Sequence, residues 1–141
     1  FEIVEPTYSF FGSKDYQQLL LISDYVKEKN LPITIISVDT VRENDGLAMS
    51  SRNNRLSQDD RNKASSLYRT LCAIKNEEYI SSHFIQSQKD LLEQQGFTLD
   101  YLSPCNPNTL EKVSDFNERP MLVAVAASIS GIRLIDNIII T

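Results

Sequence analysis

The chain reads as an α/β protein: a parallel βαβ unit followed by a small α+β domain with antiparallel strands. Three observations predict this. The β-branched run Ile33-Thr34-Ile35-Ile36-Ser37-Val38 follows a helical repeat, as in a strand–helix–strand crossover. Two further helical repeats then come in succession without an intervening strand. The chain closes on two apolar runs, 121–128 and 132–140, split by Ser130-Gly131, a hairpin pattern.

Element by element, Phe1-Glu2-Ile3-Val4 is expected to be a short strand, already under way at the first residue and ended by Pro6. Residues 7–12 are expected to be a loop carrying Tyr8, Phe10 and Phe11. Over residues 13–29, Leu19, Ile22 and Val26, flanked by Leu20 and Tyr25, recur at helical spacing, and Asn30 and Pro32 stop the helix. The run 33–38 fits a strand buried on both faces. Val41-Arg42-Glu43-Asn44-Asp45-Gly46 is a polar loop turning at Asp-Gly. Ser57-Gln58-Asp59-Asp60 resembles a capping box and opens a helix with Ala64, Leu67, Leu71 and Ile74 facing inward. A helix over 78–95 uses Ile80, Phe84, Leu91 and Leu92, with Gly96 just past its end. A strand at 97–102, a loop at 104–108 and a short helical piece at 109–113 precede the hairpin. The domain boundary falls near residues 53–57, giving domains 1–55 and 56–141.

The bulk numbers exclude some function classes. With 141 residues, 41% hydrophobic and 23% charged, the composition is that of a soluble globular protein, and the net charge of −5 lacks the basic footprint of a nucleic-acid binder. No stretch has the length of a membrane span. Cys72 and Cys105 are too few for a disulfide scaffold or a zinc site and fit the reduced thiols of a cytoplasm. The single histidine, His83, lies inside an expected helix, where a structural or surface role suits it. No metal-ligating cluster is expected.

Two constellations could carry chemistry. Gly12-Ser13-Lys14-Asp15, followed by Gln17 and Gln18, precedes the first helix. Lys14, placed in the first helical turn, opposes the helix dipole unless a phosphate sits there. The Asp15 carboxylate could accept ribose hydroxyls. The second constellation is Met49-Ser50-Ser51-Arg52, two hydroxyls and a guanidinium in a segment without periodicity, a donor set suited to a polyphosphate. It follows the second strand of the βαβ unit, so both groups can lie at one sheet edge, although no Gly-rich P-loop is present. The alternatives are a solvated lysine beside a helix-starting Asp and an ordinary polar loop. A third segment, Arg133-Leu134-Ile135-Asp136-Asn137, is expected to turn its polar face toward solvent or a partner.

These residues resemble the pantothenate synthetase (pantoate–β-alanine ligase) family, and the likeness spans nearly the whole chain. It is carried by Phe11-Gly12-Ser13-Lys14-Asp15-Tyr16-Gln17-Gln18-Leu19, Thr40-Val41-Arg42-Glu43, Asp45-Gly46-Leu47-Ala48-Met49-Ser50-Ser51-Arg52-Asn53 and Arg133-Leu134-Ile135-Asp136-Asn137. The resemblance implies the C-terminal part of a Rossmann-like nucleotidyltransferase domain, then a small lid domain. It implies an ATP- and Mg²⁺-dependent ligase that adenylates D-pantoate and passes the pantoyl group to β-alanine, in a cytoplasmic homodimer. Carried over by position, Lys14 and the segment Met49, Ser50, Ser51 and Arg52 would bind ATP phosphates. That segment is the counterpart of the KMSKS loop of class I aminoacyl-tRNA synthetases. Gly12 and Asp15 would lie at the ribose, Ser13 would be among the residues that bind ATP, the Val41 backbone would lie at adenine, and Gln18 at pantoate. Ser13 stands where the family usually has Glu, and Arg55 where it has Tyr. The family's N-terminal half, with its Met-Gly-x-Leu-His-x-Gly-His motif and acidic residues near Mg²⁺, has no counterpart here, so the site is expected to be incomplete in these 141 residues. Two other readings stay open: a non-catalytic binding or assembly module, and another adenylate-forming ligase of the same fold.

Overall fold

A computed structural model describes all residues, 1–141, and forms two compact units, Phe1–Thr40 and Val41–Thr141. The second unit begins earlier than the boundary expected near residues 53–57.

The first unit is a βαβ crossover: β1 (Tyr8–Gly12), α1 (Tyr16–Glu28) and β2 (Thr34–Val38). β1 and β2 pair in parallel, Tyr8 opposite Thr34 and Gly12 opposite Val38. The strand expected at residues 1–4 is instead a turn, closed by the Glu5 N–H donating to the Phe1 carbonyl at 2.8 Å. Ile3 there is 97% exposed. The segment expected to be a loop, Tyr8–Gly12, is the true strand, because its backbone is the one that meets β2. Leu19 and Val26, seven residues apart on α1, are its buried positions, which fits a helix packed on the sheet. β2 is not buried on both faces: Thr34, Ser37 and Val38 are exposed, and Ile35 and Ile36 are only half-buried.

In the second unit, a turn and a 3₁₀ helix (Ser51–Arg55) lead to α2 (Gln58–Ala64), α3 (Ser66–Asn76) and α4 (Ser82–Gln94). These are followed by the antiparallel sheet β3 (Thr98–Cys105), β4 (Met121–Ile129) and β5 (Ile132–Ile140). The single helix expected from Ser57 is broken at Ser65, yet its inward residues Ala64, Leu67, Leu71 and Ile74 are all buried in the core as expected. Ser57 does cap, accepting from the Asp60 N–H at 3.1 Å. On α4 the buried face holds Ile85, Gln88 and Leu92, while Leu91 is exposed. Gly96 follows with φ +94, the left-handed conformation that ends helices at glycine. The helical piece expected at 109–113 is absent. Asn106 Oδ1 accepts from the Asn108 and Thr109 amides, Leu110 turns to φ +60, and Lys112 bridges to Cys105 instead. Ser130 and Gly131 both have positive φ and close the β4–β5 hairpin, whose two-residue turn matches the strands' twist.

The core lies between α3, α4 and this sheet. Leu71, Ile74, Leu92, Met121, Val123 and Val125 are fully enclosed. No helix is long and apolar enough to cross a membrane.

Candidate functional site

The first constellation gathers at the carboxyl end of β1, where parallel sheets place ligands. Gly12 is the last residue of β1, and the Ser13 N–H donates to the Val38 carbonyl at 2.8 Å, which stitches the loop to β2. The Ser13 and Thr40 hydroxyls hydrogen-bond at 3.3 Å. Asp15 is the N-cap of α1, its Oδ1 accepting from the Gln18 N–H at 3.3 Å. Lys14 therefore precedes the cap, one position short of the first turn that the sequence pattern suggests for it; it remains beside the helix N-terminus, where an anion is favoured. Gln18 is exposed on the first turn of α1. A Cβ built on Gly12 would meet no atom of the chain, and its φ is not positive. Neither packing nor backbone conformation of the chain thus demands glycine at this point. Close approach of a ligand to the backbone would.

The second constellation belongs to the second unit. The Met49 N–H donates to the Val41 carbonyl at 2.9 Å, Arg42 bridges Ala48, and the Glu43 N–H donates to the Leu47 carbonyl, so residues 41–49 fold back on themselves. Leu47 and Ala48 are buried and tie the turn to the unit. Ser50 caps the 3₁₀ helix, its Oγ accepting from the Arg52 N–H at 3.2 Å. Asn53, buried, donates from Nδ2 to the Ala48 carbonyl at 3.2 Å, bracketing Met49, Ser50, Ser51 and Arg52 between two inward anchors. Within that bracket Met49, Ser51 and Arg52 are exposed and Ser50 half-buried, an outward display of hydroxyl and guanidinium donors.

Sequence reasoning gave Arg42 and Tyr68 no part in holding this display, and it expected the polar residues around Asp136 to face outward. Arg42 donates to both carboxylate oxygens of Asp136 on β5, at 2.6 and 3.0 Å, to the Gly46 carbonyl at 3.0 Å and to the Asn137 carbonyl at 3.4 Å. Its guanidinium carbon lies 3.8 Å from the centroid of the Tyr68 ring. The side chains of Arg42 and Asp136 are 19% and 2% exposed. The expectation that the polar residues of segment 133–137 face solvent or a partner is thus corrected for Asp136 and Asn137: both are buried, and Asp136 is neutralised from within the chain. A carboxylate inside an apolar strand was the available signal, since a buried charge requires a partner. Gly46, at φ +90, lies so close to Tyr68 that a Cβ would collide with its Cδ1 and fall 2.9 Å from Cε1.

Two neighbouring groups are electrostatically set. Arg61 on α2 clasps Asp45 bidentately at 2.6 and 3.1 Å and holds that carboxyl below its usual range. The Tyr68 phenol is held above its ordinary value, chiefly by hydrogen bonding to Cys72. His83 is exposed at the start of α4, away from both constellations in sequence.

A family model described as pantoate-beta-alanine ligase matches residues 1–139. The chain belongs to this family. Among curated pantothenate synthetases, that of Vesicomyosocius okutanii subsp. Calyptogena okutanii (strain HA) is 44% identical over 142 residues, covering 99% of this chain and 50% of the relative. That of Acinetobacter baumannii (strain AYE) is 41% identical over 141 residues, covering 98% and 49%. The chain therefore spans about half the length of the curated relatives it matches. The crystal structure of pantothenate synthetase from Thermus thermophilus superposes with a TM-score of 0.91 at 38% identity, over 98% of this chain and 51% of that one. The pantoate-β-alanine ligase of Francisella tularensis, complexed with beta-gamma ATP and β-alanine, does so with a TM-score of 0.74 at 28% identity, over 98% and 45%. The α/β reading, with a parallel pair and an antiparallel three-stranded sheet, agrees with membership of the ligase family.

Proposed function

We propose that these residues supply the phosphate-holding side of an ATP-dependent ligase that joins D-pantoate to β-alanine, giving pantothenate, AMP and pyrophosphate through pantoyl adenylate. The observation that carries this reading is the outward display of Ser50, Ser51 and Arg52 on a bracketed 3₁₀ turn, in a chain matched to the family over residues 1–139. The ligand pair in the Francisella tularensis relative, an ATP derivative and β-alanine, points the same way.

In the first step a pantoate carboxylate oxygen attacks the α-phosphorus of ATP. The bond from that phosphorus to the bridging oxygen breaks, and pyrophosphate leaves with the electron pair. Arg52, Ser50, Ser51 and Lys14 would donate to phosphate oxygens as charge builds, the kind of stabilisation that usually dominates phosphoryl transfer. Met49 contributes backbone and contact surface to the same loop. Gly12 and Asp15 would receive the ribose, where the open backbone at Gly12 gives room and the Asp15 carboxylate retains lone pairs beyond its cap bond, and Ser13 between them would join in binding ATP. The Val41 carbonyl, one lone pair engaged by Met49, would face adenine, and Gln18 would hold pantoate. In the second step the β-alanine amine attacks the acyl carbon, the bond to the adenylate oxygen breaks, AMP departs and the nitrogen loses its proton. The amine is the substrate's own nucleophile, so the protein's part is positioning and charge.

The Mg²⁺ that belongs to the same reading would be held mainly through the phosphates of ATP. A cytoplasmic homodimer is part of the same proposal.

The test is AMP release from ATP by the complete polypeptide that carries residues 1–141. Release that requires both D-pantoate and β-alanine supports the reading. Release driven equally by other hydroxy acids would assign a different adenylate-forming ligase, and self-association indifferent to ATP, with no AMP, would assign an assembly module.

A further inference from the structure

The Arg42–Asp136 pair lies beneath the loop that displays the phosphate donors, and nothing in the adenylation step uses it. Asp136 stands in the middle of β5, opposite Val125 of the fully buried part of β4. Arg42 reaches it from a segment 94 positions earlier in the chain. The same guanidinium also binds the Gly46 carbonyl of its own turn and the Asn137 carbonyl of β5, and stacks on Tyr68 of α3. One side chain therefore joins three parts of the second unit: the turn at 41–49, the helix that lines the core, and the central residues of an edge strand. A planar, bidentate fork fixes orientation as well as distance, which a lysine could not reproduce. The Arg42–Ala48 bridge and the Asn53–Ala48 bond then pass this fixed geometry directly to Ser50, Ser51 and Arg52.

We propose that Arg42 and Asp136, with Tyr68 as the platform, are positioning residues that hold the Ser50–Arg52 donors at the register required for pyrophosphate to depart. This inference rests on the ligase reading above. It makes a distinction that a merely structural ion pair does not. Only the first half-reaction carries β- and γ-phosphates, so misplacing the loop must slow adenylation far more than attack of β-alanine on preformed pantoyl adenylate. Small misplacements of this kind can cost on the order of 10²-fold in rate.

The experiment measures both half-reactions in the complete polypeptide: pantoate-dependent exchange of labelled pyrophosphate into ATP, and pantothenate formation from supplied pantoyl adenylate and β-alanine. The variants are Asp136→Asn and Arg42→Lys, which alter the fork with little change of volume, and Tyr68→Leu, which removes the platform and leaves the ion pair intact. The expected result is a loss of about 10- to 100-fold in exchange, with pantoyl transfer within about threefold of the parent. Parallel losses in both half-reactions, or no loss in either, would overturn the proposal. Should the two ion-pair variants fail to fold, Tyr68→Leu alone decides by the same criterion. An unmodified protein that shows no pantoate-dependent exchange would instead refute the ligase reading itself.

Discussion

Replacing Gly46 with alanine tests how closely the 41–49 turn is moulded onto α3. Two costs add. The residue sits at φ +90, a left-handed conformation that costs an L-residue about 1–2 kcal/mol. The new methyl would also collide with Tyr68 Cδ1 and lie 2.9 Å from Cε1, so the ring must move. That ring is itself stacked under the Arg42 guanidinium at 3.8 Å, and overpacking of this sort costs about 1–3 kcal/mol. The expected total is about 2–5 kcal/mol. Gly96→Ala is the matched control: φ is +94, but a Cβ there meets nothing within 4 Å, so only the backbone cost of about 1–2 kcal/mol applies. Urea unfolding followed by far-ultraviolet circular dichroism compares the two. A double variant, Gly46→Ala with Tyr68→Ala, should return the Gly46 cost to that of Gly96, because the clash and not the backbone makes the difference. Equal losses for Gly46→Ala and Gly96→Ala would refute the claim that the turn is fitted to Tyr68.

Ser50→Ala removes a cap and should lower stability by about 0.5–2 kcal/mol along with activity. Ser51→Ala, at an exposed site, should keep stability within about 0.5 kcal/mol and lose activity alone; equal urea midpoints for the two variants would count against the assigned cap. The Asp45 carboxyl is held below its usual range by the hydrogen bond from Arg61, so its stabilising effect is present above the unfolded-state value and fades as pH falls through the lowered folded-state value. The stability gap between the parent and Asp45→Asn should therefore be flat near neutrality and close on acidification below about pH 3.9; a gap that widens toward acid would reverse the assignment. Lys14→Ala in the complete polypeptide should cut pantoate-dependent AMP release by about 10²–10³-fold, as for loss of one donor to a developing oxyanion. Near-normal turnover would remove Lys14 from the mechanism.

Local signals read well in this chain, and non-local ones did not. The crossover was legible because Ile33–Val38 is β-branched and α1 shows its period, whereas Tyr8–Gly12 was hidden by exposed aromatics whose strand identity depends on pairing with β2. The break at Ser65 left no trace in the hydrophobic pattern, since Ala64, Leu67, Leu71 and Ile74 keep one face across it. Helical composition at 109–113 lost to the Asn106 side chain, which captures the amides of Asn108 and Thr109 in a turn. At the site, the donor cluster at Ser50–Arg52 was visible as contiguous residues. Its support was not, because Arg42 and Asp136 are joined only by the folded chain.

The measurement that bears most directly on the phosphate-holding role is pyrophosphate exchange into ATP by the complete polypeptide, with D-pantoate present and β-alanine omitted. Exchange in the parent that falls by about 10²–10³-fold in Arg52→Ala, with the circular dichroism spectrum unchanged, is the result expected if the exposed guanidinium at the 3₁₀ turn stabilises the departing pyrophosphate. Exchange of undiminished rate in Arg52→Ala would contradict it.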